Sequence, residues 1–332
     1  MVREHVQSRV SVIIPNWNGL GHLDECFQAL HAQTYRDFET ILVDNASSDG
    51  SPEWVERNAT ATRVVRRADN GGFAAAVNEG ILASAAEYVV LLNNDTSAEP
   101  DWLSELVNAM DRALDYDFAA SLMLLYYEPG RVNAAGDIYA LPLMAGRNRG
   151  LGKTVSEYVR PGRVLGACAG ASIYRRAMFA EVGLFDEGFF LMSEDTDMNL
   201  RALIAGKRCC YVPTARVRHK VRASIDTEPS FDMKRLADRN EGMVIGKDLP
   251  ALLFVLLPAM CLWRMLRKTI LVSPKVWPKI PSLIAYTPTR VVAELEGFRK
   301  GLGKRKDVWA RRGTTYWDII RWMMVGWQPF RH

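Results

Sequence analysis

Short apolar runs alternate with amphipathic segments along the first hundred residues of the chain. Val10–Pro15, Glu39–Val43 and Glu87–Leu92 are dominated by β-branched and aliphatic residues, which is typical of buried strands. Gly21–Gln33 and Phe73–Ala86 lie between them and have the apolar spacing of helices. Strands that alternate with helices form βαβ units, so the pattern predicts an α/β fold with a Rossmann-like, mainly parallel sheet flanked by helices.

Shorter signals predict further elements. Ser51, which precedes a proline, predicts the cap of a helix, and Arg63–Arg66 predicts a third strand. Further along, the acidic segment that starts at Ser193 leads into a helix that Gly206 ends. Cys209–Val212 predicts another strand after that helix.

Polar residues follow three of the predicted strands. Asn16 follows the first strand, Asp44 the second, and Asn93–Asp95 the strand at Glu87–Leu92. The carboxyl ends of parallel strands meet at one edge of a sheet, and ligands bind beyond that edge. The sequence therefore predicts a binding site built from loops that are far apart in the chain.

Composition agrees with a folded protein and favours a reducing compartment. Of the 332 residues, 48% are hydrophobic and 24% charged, which allows a sizeable core and argues against disorder. The first nine residues are polar, so we expect no secretory signal. The cysteines are Cys26, Cys168, Cys209, Cys210 and Cys261. Their scattered spacing predicts reduced thiols in the cytoplasm rather than disulfides or a zinc site.

Charge is distributed unevenly along the chain, whose net charge is +4. From Cys261 to the end there are 15 Lys and Arg against 4 Asp and Glu, whereas the first 260 residues carry a net charge of −7. A basic tail on an acidic body predicts two surfaces with different partners, although a solvated face would have the same charges.

The tail also contains an apolar run of 15 residues, Leu249–Trp263. It is shorter than the roughly 20 residues that a membrane-spanning helix needs. Cations and tryptophans follow it, which favours a helical region that associates with the membrane surface over nucleic-acid binding. Packing of this run on the rest of the protein is the alternative.

Two acidic segments could support chemistry. Asp95 ends an apolar strand, where a carboxylate would be held rigidly enough to bind Mg²⁺ or Mn²⁺ against a diphosphate, although the segment is also ordinary turn chemistry. Glu194, Asp195 and Asp197 begin a helix. Carboxylates cap helix starts, but mutual repulsion would also favour a general base among them. His219 has cationic neighbours, which favour the neutral ring that metal binding requires, although a lone histidine is more often structural.

Together these segments resemble the family 2 glycosyltransferases, and among them the bacterial rhamnosyltransferase-like branch. The matching stretches are Val10–Gly19, Leu42–Ser51, Asn70–Gly80, Leu91–Thr96, Gly166–Arg176 and Ser193–Arg201. They follow one another in the family's order over roughly residues 10 to 220. Six stretches in order are far more specific than any one of them.

The resemblance implies a GT-A fold and a role for each matching residue. The residues implied for the nucleotide-sugar are Pro15, Asn16, Asn18, Asp44, Asn70, Gly72, Asn93, Asn94 and Asp95. Asn93 stands where the family has the first acid of its DxD motif, so Asp95 is expected to carry the metal, with His219 as a second ligand. Asp195 matches the catalytic base, and Glu194 and Asp197 would orient the acceptor or support the base.

The resemblance also implies a domain layout. A catalytic domain would span residues 1–240, with a nucleotide-binding half at about 8–117 and an acceptor half at about 118–240. A helical, membrane-associating C-terminal region would cover residues 241–332. We therefore expect a peripheral protein on the cytoplasmic face of the inner membrane.

The implied activity is inverting, metal-dependent transfer of a sugar from a nucleoside diphosphate to an acceptor hydroxyl. Rhamnose from dTDP-rhamnose is the expected donor, and a cell-surface polysaccharide or polyprenyl-linked glycan is the expected acceptor. A hexosyltransferase that uses a UDP-sugar and a non-catalytic membrane-bound protein that binds nucleotide-sugars remain alternatives. A nucleotidyltransferase would need a glycine-rich cationic loop that Asn16–Gly19 lacks. The oligomeric state, including a homo-oligomer, stays open.

Overall fold

A computed structural model describes residues 8–221, 233–259 and 280–330. In its first part, strands and helices alternate as predicted. The elements are β1 (Val10–Asn16), α1 (Leu20–His31), β2 (Phe38–Asp44), α2 (Ser51–Asn58), β3 (Arg63–Arg66), α3 (Gly72–Ala83), β4 (Tyr88–Leu92), β5 (Thr96–Ala98) and α4 (Trp102–Arg112). One detail differs from prediction. Ser51 is the first residue of α2, and the cap is Gly50, whose φ of 80° is left-handed and suits glycine.

The second part is richer in short strands. Its elements are β6 (Phe118–Leu125), β7 (Val132–Ala135), β8 (Asp137–Ala140), β9 (Ala145–Asn148), β10 (Gly162–Val164), β11 (Ala171–Arg175), α5 (Met178–Val182), α6 (Glu194–Ile204) and β12 (Cys209–His219). Short 3₁₀ turns lie at Leu141–Leu143, Val155–Tyr158 and Glu187–Phe189. Because β12 extends well past Val212, it carries His219 to its end.

Within the described residues, the strands form an 11-stranded sheet in the order β13-β10-β12-β6-β11-β4-β1-β2-β3, with β5 beside β12 and β7 beside β6. β3, β2, β1 and β4 are parallel, which confirms the expected sheet. β11 then runs antiparallel to β4 and β6, while β12 is parallel to β6. The carboxyl ends of β1, β2, β4, β6 and β12 therefore lie at one edge, together with the start of β11.

Helices cover both faces of the sheet. Along β1, Val12 and Ile14 pack in the core layer under α1 and α4, whereas Ile13 packs in the layer under α3. This alternation is the period-two pattern of a strand. Pro15 lacks an N–H donor, but the ladder between β1 and β4 ends at Ile13, so no bond to β4 is lost there.

The C-terminal region is helical, as expected. It contains α7 (Met233–Asp248), a 3₁₀ segment (Ala251–Leu256), α8 (Ile280–Ala310), α9 (Tyr316–Val325) and β13 (Trp327–Pro329). A third core layer joins α6, α7 and α9. α7 and α8 approach so closely that a Cβ on Gly242 or Gly297 would overlap the backbone of the other helix. The predicted division at residue 240 falls inside α7.

The apolar run at Leu249–Trp263 is partly buried. Leu249 and Leu253 belong to the third core layer, whereas Leu252 and Val255 are exposed. Residues 260–263 lie outside the described residues. Among the described helices, none combines the length and the apolar composition that a bilayer crossing requires.

Candidate functional site

Buried amides and a carboxylate join the loops after β1, β2 and β4. The Asn16 side-chain amide donates to Asp44 Oδ1 (3.1 Å) and to Ser51 Oγ (2.8 Å), and Asn16 Oδ1 accepts from Asn94 Nδ2 (2.8 Å). Asp44 Oδ2 accepts from the Ser47 amide (3.1 Å). Three of the predicted nucleotide-binding residues therefore contact one another directly at the carboxyl edge of the sheet.

The loop after β1 is also tied to the loop after β2. The Asn18 amide donates to Ser47 Oγ (2.9 Å), and Asn18 Oδ1 accepts from the Ser48 amide (2.8 Å). Asn18 has a φ of 49°, a conformation that asparagine tolerates better than most residues. Pro15, in β1, leads into this rigid corner.

The start of α3 joins the same group of loops. Asn70 Oδ1 accepts from the Gly72 amide (3.0 Å), and the Gly72 carbonyl accepts from Asn45 Nδ2 (2.8 Å). Gly72 has a φ of 83°, and a Cβ there would overlap the Phe190 carbonyl. The Phe73 amide donates to that same carbonyl (2.6 Å). Glycine at position 72 thus permits close contact with the segment that leads to the acidic helix.

Asp95 and His219 lie side by side. His219 Nε2 is 3.2 Å from Asp95 Oδ1, and His219 Nδ1 is 2.9 Å from Asn133 Oδ1. Because an amide oxygen only accepts, Nδ1 carries a proton and donates to Asn133. In a neutral ring Nε2 is then an acceptor that faces the Asp95 carboxylate oxygen. Because two acceptors repel each other, Nε2 and Asp95 Oδ1 need a proton or a cation between them.

The electrostatics of Asp95 suit a cation. Burial raises its pKa, but the hydrogen bond and charge of a protonated His219 and the charge of a protonated His22 outweigh burial, so the pKa of Asp95 is lowered. A cation held between Asp95 and a neutral His219 would supply the positive charge in place of that proton. Adjacent ligands of an octahedral cation with bonds of about 2.1 Å are about 3 Å apart, close to the observed pair. Asp95 and His219 could therefore hold Mg²⁺ or Mn²⁺, with Asn133 orienting the histidine.

The backbone just before the acidic helix α6 is strained. Phe190, Met192 and Ser193 all have positive φ, between 64° and 68°. Non-glycine residues adopt this conformation at an energetic cost and mostly where surrounding contacts impose it. After this turn, Asp195 is partly exposed, whereas Glu194 is only 6% exposed.

The pKa values of these two acids are shifted upward. Burial and the charge of Asp195 raise the pKa of Glu194 to about 8, and Glu194 Oε2 is buried without a hydrogen-bond partner among the described residues. Burial raises the pKa of Asp195, although backbone hydrogen bonds from Thr196 (2.7 Å) and Ala169 oppose this. A carboxylate with a raised pKa is suited to accept a proton.

Backbone contacts bring the two acidic segments to the same edge of the sheet. The Asn93 amide donates to the Gly170 carbonyl (2.9 Å), and the amide of neighbouring Ala169 donates to Asp195. Asn93 Oδ1 is buried and has no hydrogen-bond partner among the described residues. Asn93 and Asp195, a hundred positions apart in the chain, thus flank one short loop.

Asp137, which sequence reasoning missed, is electrostatically linked to Glu194 and Asp195, and we call these three residues the acid group. It is 5% exposed, and its Oδ2 accepts from Asn199 Nδ2 (3.3 Å). Burial and the charges of Asp195 and Glu194 raise its pKa well above the ordinary value. The signal in the sequence is one acid within the otherwise uncharged stretch from Ala134 to Ala140, a context in which a charge is expensive to bury.

Helix α7 supports the strained segment. The Asn240 side-chain amide donates to the carbonyls of Phe189 (2.9 Å), Leu191 (2.9 Å) and Met192 (2.7 Å). Arg239 adds a bond to the Gly188 carbonyl (2.7 Å). Asn133, Asn199 and Asn240 were all missed by sequence reasoning, because an isolated asparagine gives no local sign of a distant partner.

Asp197 is held apart from the acid group. Its carboxylate is fully buried between Arg201 Nε (2.8 Å) and Lys247 Nζ (2.5 Å), and Lys247 also pairs with Asp186 (2.6 Å). These contacts tie α6 to α7. The charges of Glu194 and Asp195 reach Asp137, whereas the carboxylate of Asp197, the third acid expected from the sequence, pairs with Arg201 and Lys247.

Another carboxylate group lies between α7 and α8, where Asp238, Glu241 and Glu294 have oxygens within 4.8 Å of one another. Arg290 pairs with Asp238 (3.4 Å) and Glu294 (2.7 Å), and Arg147 with Glu241 (3.7 Å). These two arginines offset two of the three negative charges of the group.

Comparison with known proteins gives a family. The model described as Glycosyl transferase family 2 matches residues 11–183. Uncharacterized protein y4gI of Sinorhizobium fredii is 31% identical over 247 residues, which is 70% of this chain and 26% of that protein. An N-acetylglucosaminyl-diphospho-decaprenol L-rhamnosyltransferase of Mycobacterium tuberculosis is 27% identical over 256 residues, which is 67% of this chain and 81% of that enzyme.

Solved structures agree on the fold. The crystal structure of GalNAc-T7 with UDP, GalNAc and Mn²⁺ superposes with a TM-score of 0.58 at 18% identity, over 73% of this chain and 48% of that one. At this identity the likeness establishes the GT-A fold alone, which agrees with the fold expected from the sequence.

Proposed function

Because the chain belongs to glycosyl transferase family 2, we propose that it transfers a sugar from a nucleoside diphosphate to an acceptor hydroxyl, with inversion and with a divalent cation on the diphosphate. One observation carries the proposal. Asn93 and Asp195 bond to adjacent residues of one loop, so the diphosphate side and a basic carboxylate share an edge of the sheet. A single displacement requires the base and the leaving diphosphate to lie on opposite faces of one bound sugar, so both must be near the same site.

The nucleoside is assigned to the loops after β1 and β2 and the start of α3. The residues proposed to bind the donor are Pro15, Asn16, Asn18, Asp44, Asn70, Gly72, Asn93 and Asn94. Their mutual hydrogen bonds hold the loops rigid before the donor arrives, which lowers the entropy lost on binding. The unpartnered Asn93 Oδ1 supplies an acceptor for a hydroxyl of the donor.

Asp95 and His219 are assigned as protein ligands of Mg²⁺ or Mn²⁺. The structure of GalNAc-T7 was solved with both Mn²⁺ and UDP, which supports the proposal that a divalent cation binds together with the nucleotide. When bound, the cation neutralises charge on the leaving diphosphate. Asn133 fixes the histidine tautomer and so keeps Nε2 free to bind.

Asp195 is assigned as the base. It takes the proton from the acceptor hydroxyl while that oxygen forms a bond to the anomeric carbon. The bond from the anomeric carbon to the diphosphate oxygen breaks, and the diphosphate leaves with the electron pair. Glu194, which is buried and next to Asp195 in the sequence, is assigned to orient the acceptor and to support Asp195 as the base.

Rhamnose from dTDP-rhamnose is the proposed donor, and a polyprenyl-linked glycan or cell-surface polysaccharide the proposed acceptor. The support is the 27% identity to an enzyme named as a rhamnosyltransferase that acts on a decaprenol-linked sugar. Thermal-shift measurements with dTDP, UDP and GDP in the presence of Mn²⁺ test the nucleotide. Stabilisation by dTDP is expected, stabilisation by UDP alone would favour the hexosyltransferase, and by GDP alone would exclude both.

Product analysis tests the reaction itself. The protein, Mn²⁺ and dTDP-rhamnose are incubated with a lipid-linked disaccharide mimic, and the anomeric configuration of the product is read by NMR. We expect a product of inverted configuration. A retained configuration would contradict the single displacement, and binding without any turnover across the donor panel would favour a non-catalytic protein.

Peripheral association with the cytoplasmic face of the membrane is also proposed, with the division of the chain into residues 8–117, 118–240 and 241–332. Its support is the exposed apolar side chains of the tail, such as Val255, Val292 and Leu295, together with the excess of Lys and Arg over Asp and Glu from residue 261 onward. Substitution of Val292 and Leu295 by serine should reduce sedimentation with anionic vesicles. The matched change of exposed Leu82, on α3, should not, and equal sedimentation of both variants would refute the assignment.

A further inference from the structure

One ammonium group joins the two ends of the segment that carries the proposed base. Lys247 Nζ, on α7, is 2.6 Å from Asp186 Oδ2 and 2.5 Å from Asp197 Oδ1. Asp186 precedes the strained backbone, and Asp197 lies two positions after Asp195. We call residues 186–197 the base segment, and the contact of Lys247 with both aspartates the clasp. The clasp closes the base segment into a loop through a single cation.

The clasp is buried. The side chains of Lys247 and Asp197 are almost inaccessible, and that of Asp186 is only slightly more exposed. The Lys247 ammonium also lies 5.5 Å from the centre of the Phe189 ring, which is buried inside the base segment. Asp248 is buried nearby, and burial together with the charge of Asp197 raises its pKa, which disfavours its ionised form. Separating the members of a buried ion pair leaves unpaired charges, so the clasp is costly to open.

Each aspartate of the clasp has a second cationic partner. Arg201 Nε donates to Asp197 Oδ2 (2.8 Å) from within α6. Lys304, on α8, donates to Asp186 Oδ1 (2.5 Å). The Lys304 side chain is 46% exposed, so water and salt weaken this outer pair. Of these three cations, Lys247 is the one that contacts both aspartates.

The clasp lies on the same face of α7 as the brace from Asn240. Asn240 and Lys247 are seven residues apart, which is about two turns of helix. Asn240 holds carbonyls inside the base segment, and Lys247 holds its two ends. Phe185, directly before the segment, exchanges two hydrogen bonds of 2.9 Å with Asn78 of α3. The segment that carries Asp195 is therefore fixed to α3 at its start and to α7 along its length.

We propose that Lys247 is a positioning residue for the reaction. By joining Asp186 to Asp197, it holds Asp195 at the place where the acceptor hydroxyl loses its proton. This inference rests on the proposed role of Asp195 as the base. It also makes α7 part of the catalytic unit, although Lys247 lies beyond residue 240.

Lys247→Met tests the clasp, because methionine keeps much of the side-chain length without the ammonium. We expect kcat to fall about 10- to 100-fold, since a small displacement of a reacting group is costly. The affinity and stoichiometry of dTDP binding with Mn²⁺, measured by calorimetry, should stay within about twofold of wild type. Lys304→Met removes only the outer partner of Asp186 and should lower kcat less than about threefold. Lys300→Met, at an exposed lysine of α8 that pairs with Glu296, is the matched control and should change neither quantity.

A charge-balanced variant separates position from charge. Lys247→Met leaves the Asp197 carboxylate with one cation fewer, so lost stability would also lower activity. Lys247→Met/Asp197→Asn removes one positive and one negative charge, and its Tm should recover toward wild type. Its kcat should stay as low as that of Lys247→Met, because the ends of the base segment remain unjoined. Recovery of both Tm and kcat would show that Lys247 only neutralises charge, and would overturn the proposal.

Asp186→Ala opens the clasp at its other end and leaves the buried pair of Lys247 and Asp197 intact. It should lower kcat about tenfold with little change in nucleotide affinity. This variant decides the question if the Lys247 variants do not fold. Hydrogen–deuterium exchange follows the base segment without turnover. The amides of residues 189–196 should exchange faster in each opened variant, whereas those of β1 should not.

Three results would overturn the proposal. Unchanged exchange in the base segment of the opened variants would show that no clasp restrains it. Faster exchange with normal kcat would show that the clasp is only structural. A loss of nucleotide affinity as large as the loss of kcat would show a general disturbance of the site. Retained turnover in Asp195→Asn would instead overturn the proposed function, and the exchange measurement would still test the clasp.

Discussion

The two sides of the site solve different physical problems. On the proposed nucleotide side, Asn16, Asp44 and Asn94 are buried, and Asn16 bonds to both of the others. On the acid side, Glu194 and Asp137 each have an oxygen without a partner among the described residues, and their pKa values are raised. The first arrangement is a satisfied network that gives rigid loops. In the second arrangement, burial and repulsion between carboxylates destabilise the ionised forms of the acids.

The backbone has positive-φ residues on both sides, at Asn18 and Ala46 in the loops after β1 and β2, and at Phe190, Met192 and Ser193 before α6. Left-handed residues cluster just before the acid helix, and α7 braces them through Asn240. Strain and raised pKa values persist only where the surrounding structure imposes them, and both are common where a protein performs chemistry. The contrast teaches that the two sides should respond differently to substitution, one through affinity and the other through turnover.

The largest expected effect is on the acid side. Asp195→Asn removes the proposed base while keeping the shape of the side chain, so turnover should fall about 10²- to 10⁴-fold. The dissociation constant of the nucleotide, measured by titration calorimetry, should change less than twofold. Asp115→Asn is the matched exposed control. Near-normal turnover in Asp195→Asn would remove the assigned difference between the two sides.

A smaller effect is expected between the two sides, where Asn133 orients His219. Asn133→Ala should raise the Mn²⁺ concentration needed for half-maximal activity by about 10- to 100-fold, because the ring loses its orienting partner. Activity is measured against Mn²⁺ concentration at saturating donor. Asn58→Ala, at the end of α2, removes a comparable side chain far from the site. An unchanged metal requirement in Asn133→Ala would argue against His219 as a ligand.

Loss of the brace should affect turnover more than nucleotide affinity. Asn240→Ala removes the side-chain donor to the carbonyls of Phe189, Leu191 and Met192, of which the first keeps a bond from the Leu191 amide, and this should lower the free energy of unfolding by about 2–4 kcal/mol. We expect kcat to fall about tenfold while the nucleotide dissociation constant stays nearly unchanged. Urea unfolding and steady-state kinetics measure both. An effect confined to nucleotide affinity would show that the segment serves the nucleotide side.

The smallest effect should appear on the satisfied side. Asn16→Ala removes bonds to Asp44 and Ser51, so the loops should lose rigidity and the nucleotide should bind about three- to tenfold more weakly. At saturating donor, kcat should remain within about twofold of wild type. A variant that bound nucleotide normally but lost turnover would reverse the proposed division between the two sides.

The nucleotide half was predictable because its signals are local. The apolar runs at β1, β2 and β4 each end in polar residues, and parallel strands bring those ends together. The first six helices and strands therefore matched the periodicity within a few residues, and Asn16, Asp44 and Asn94 meet as the order of strands requires.

The acid side could be predicted only in part, because long-range contacts build it. Glu194 and Asp195 announce themselves as adjacent acids, but Asp137 reaches them through a hairpin and Asn199. Asp197 lies two residues after Asp195 in the same acidic segment, yet its position on the helix brings its carboxylate to Lys247 of α7. Periodicity cannot reveal a partner that is 50 residues away in sequence.

The central claim is that a cation at Asp95 and His219 lies on the same edge as the base Asp195. Crystals grown with Mn²⁺ and dTDP test it directly through the anomalous scattering of manganese. We expect one strong peak between Asp95 and His219, in contact with the diphosphate. A peak only at Asp238, Glu241 and Glu294, with the diphosphate away from Asp95, would contradict the account.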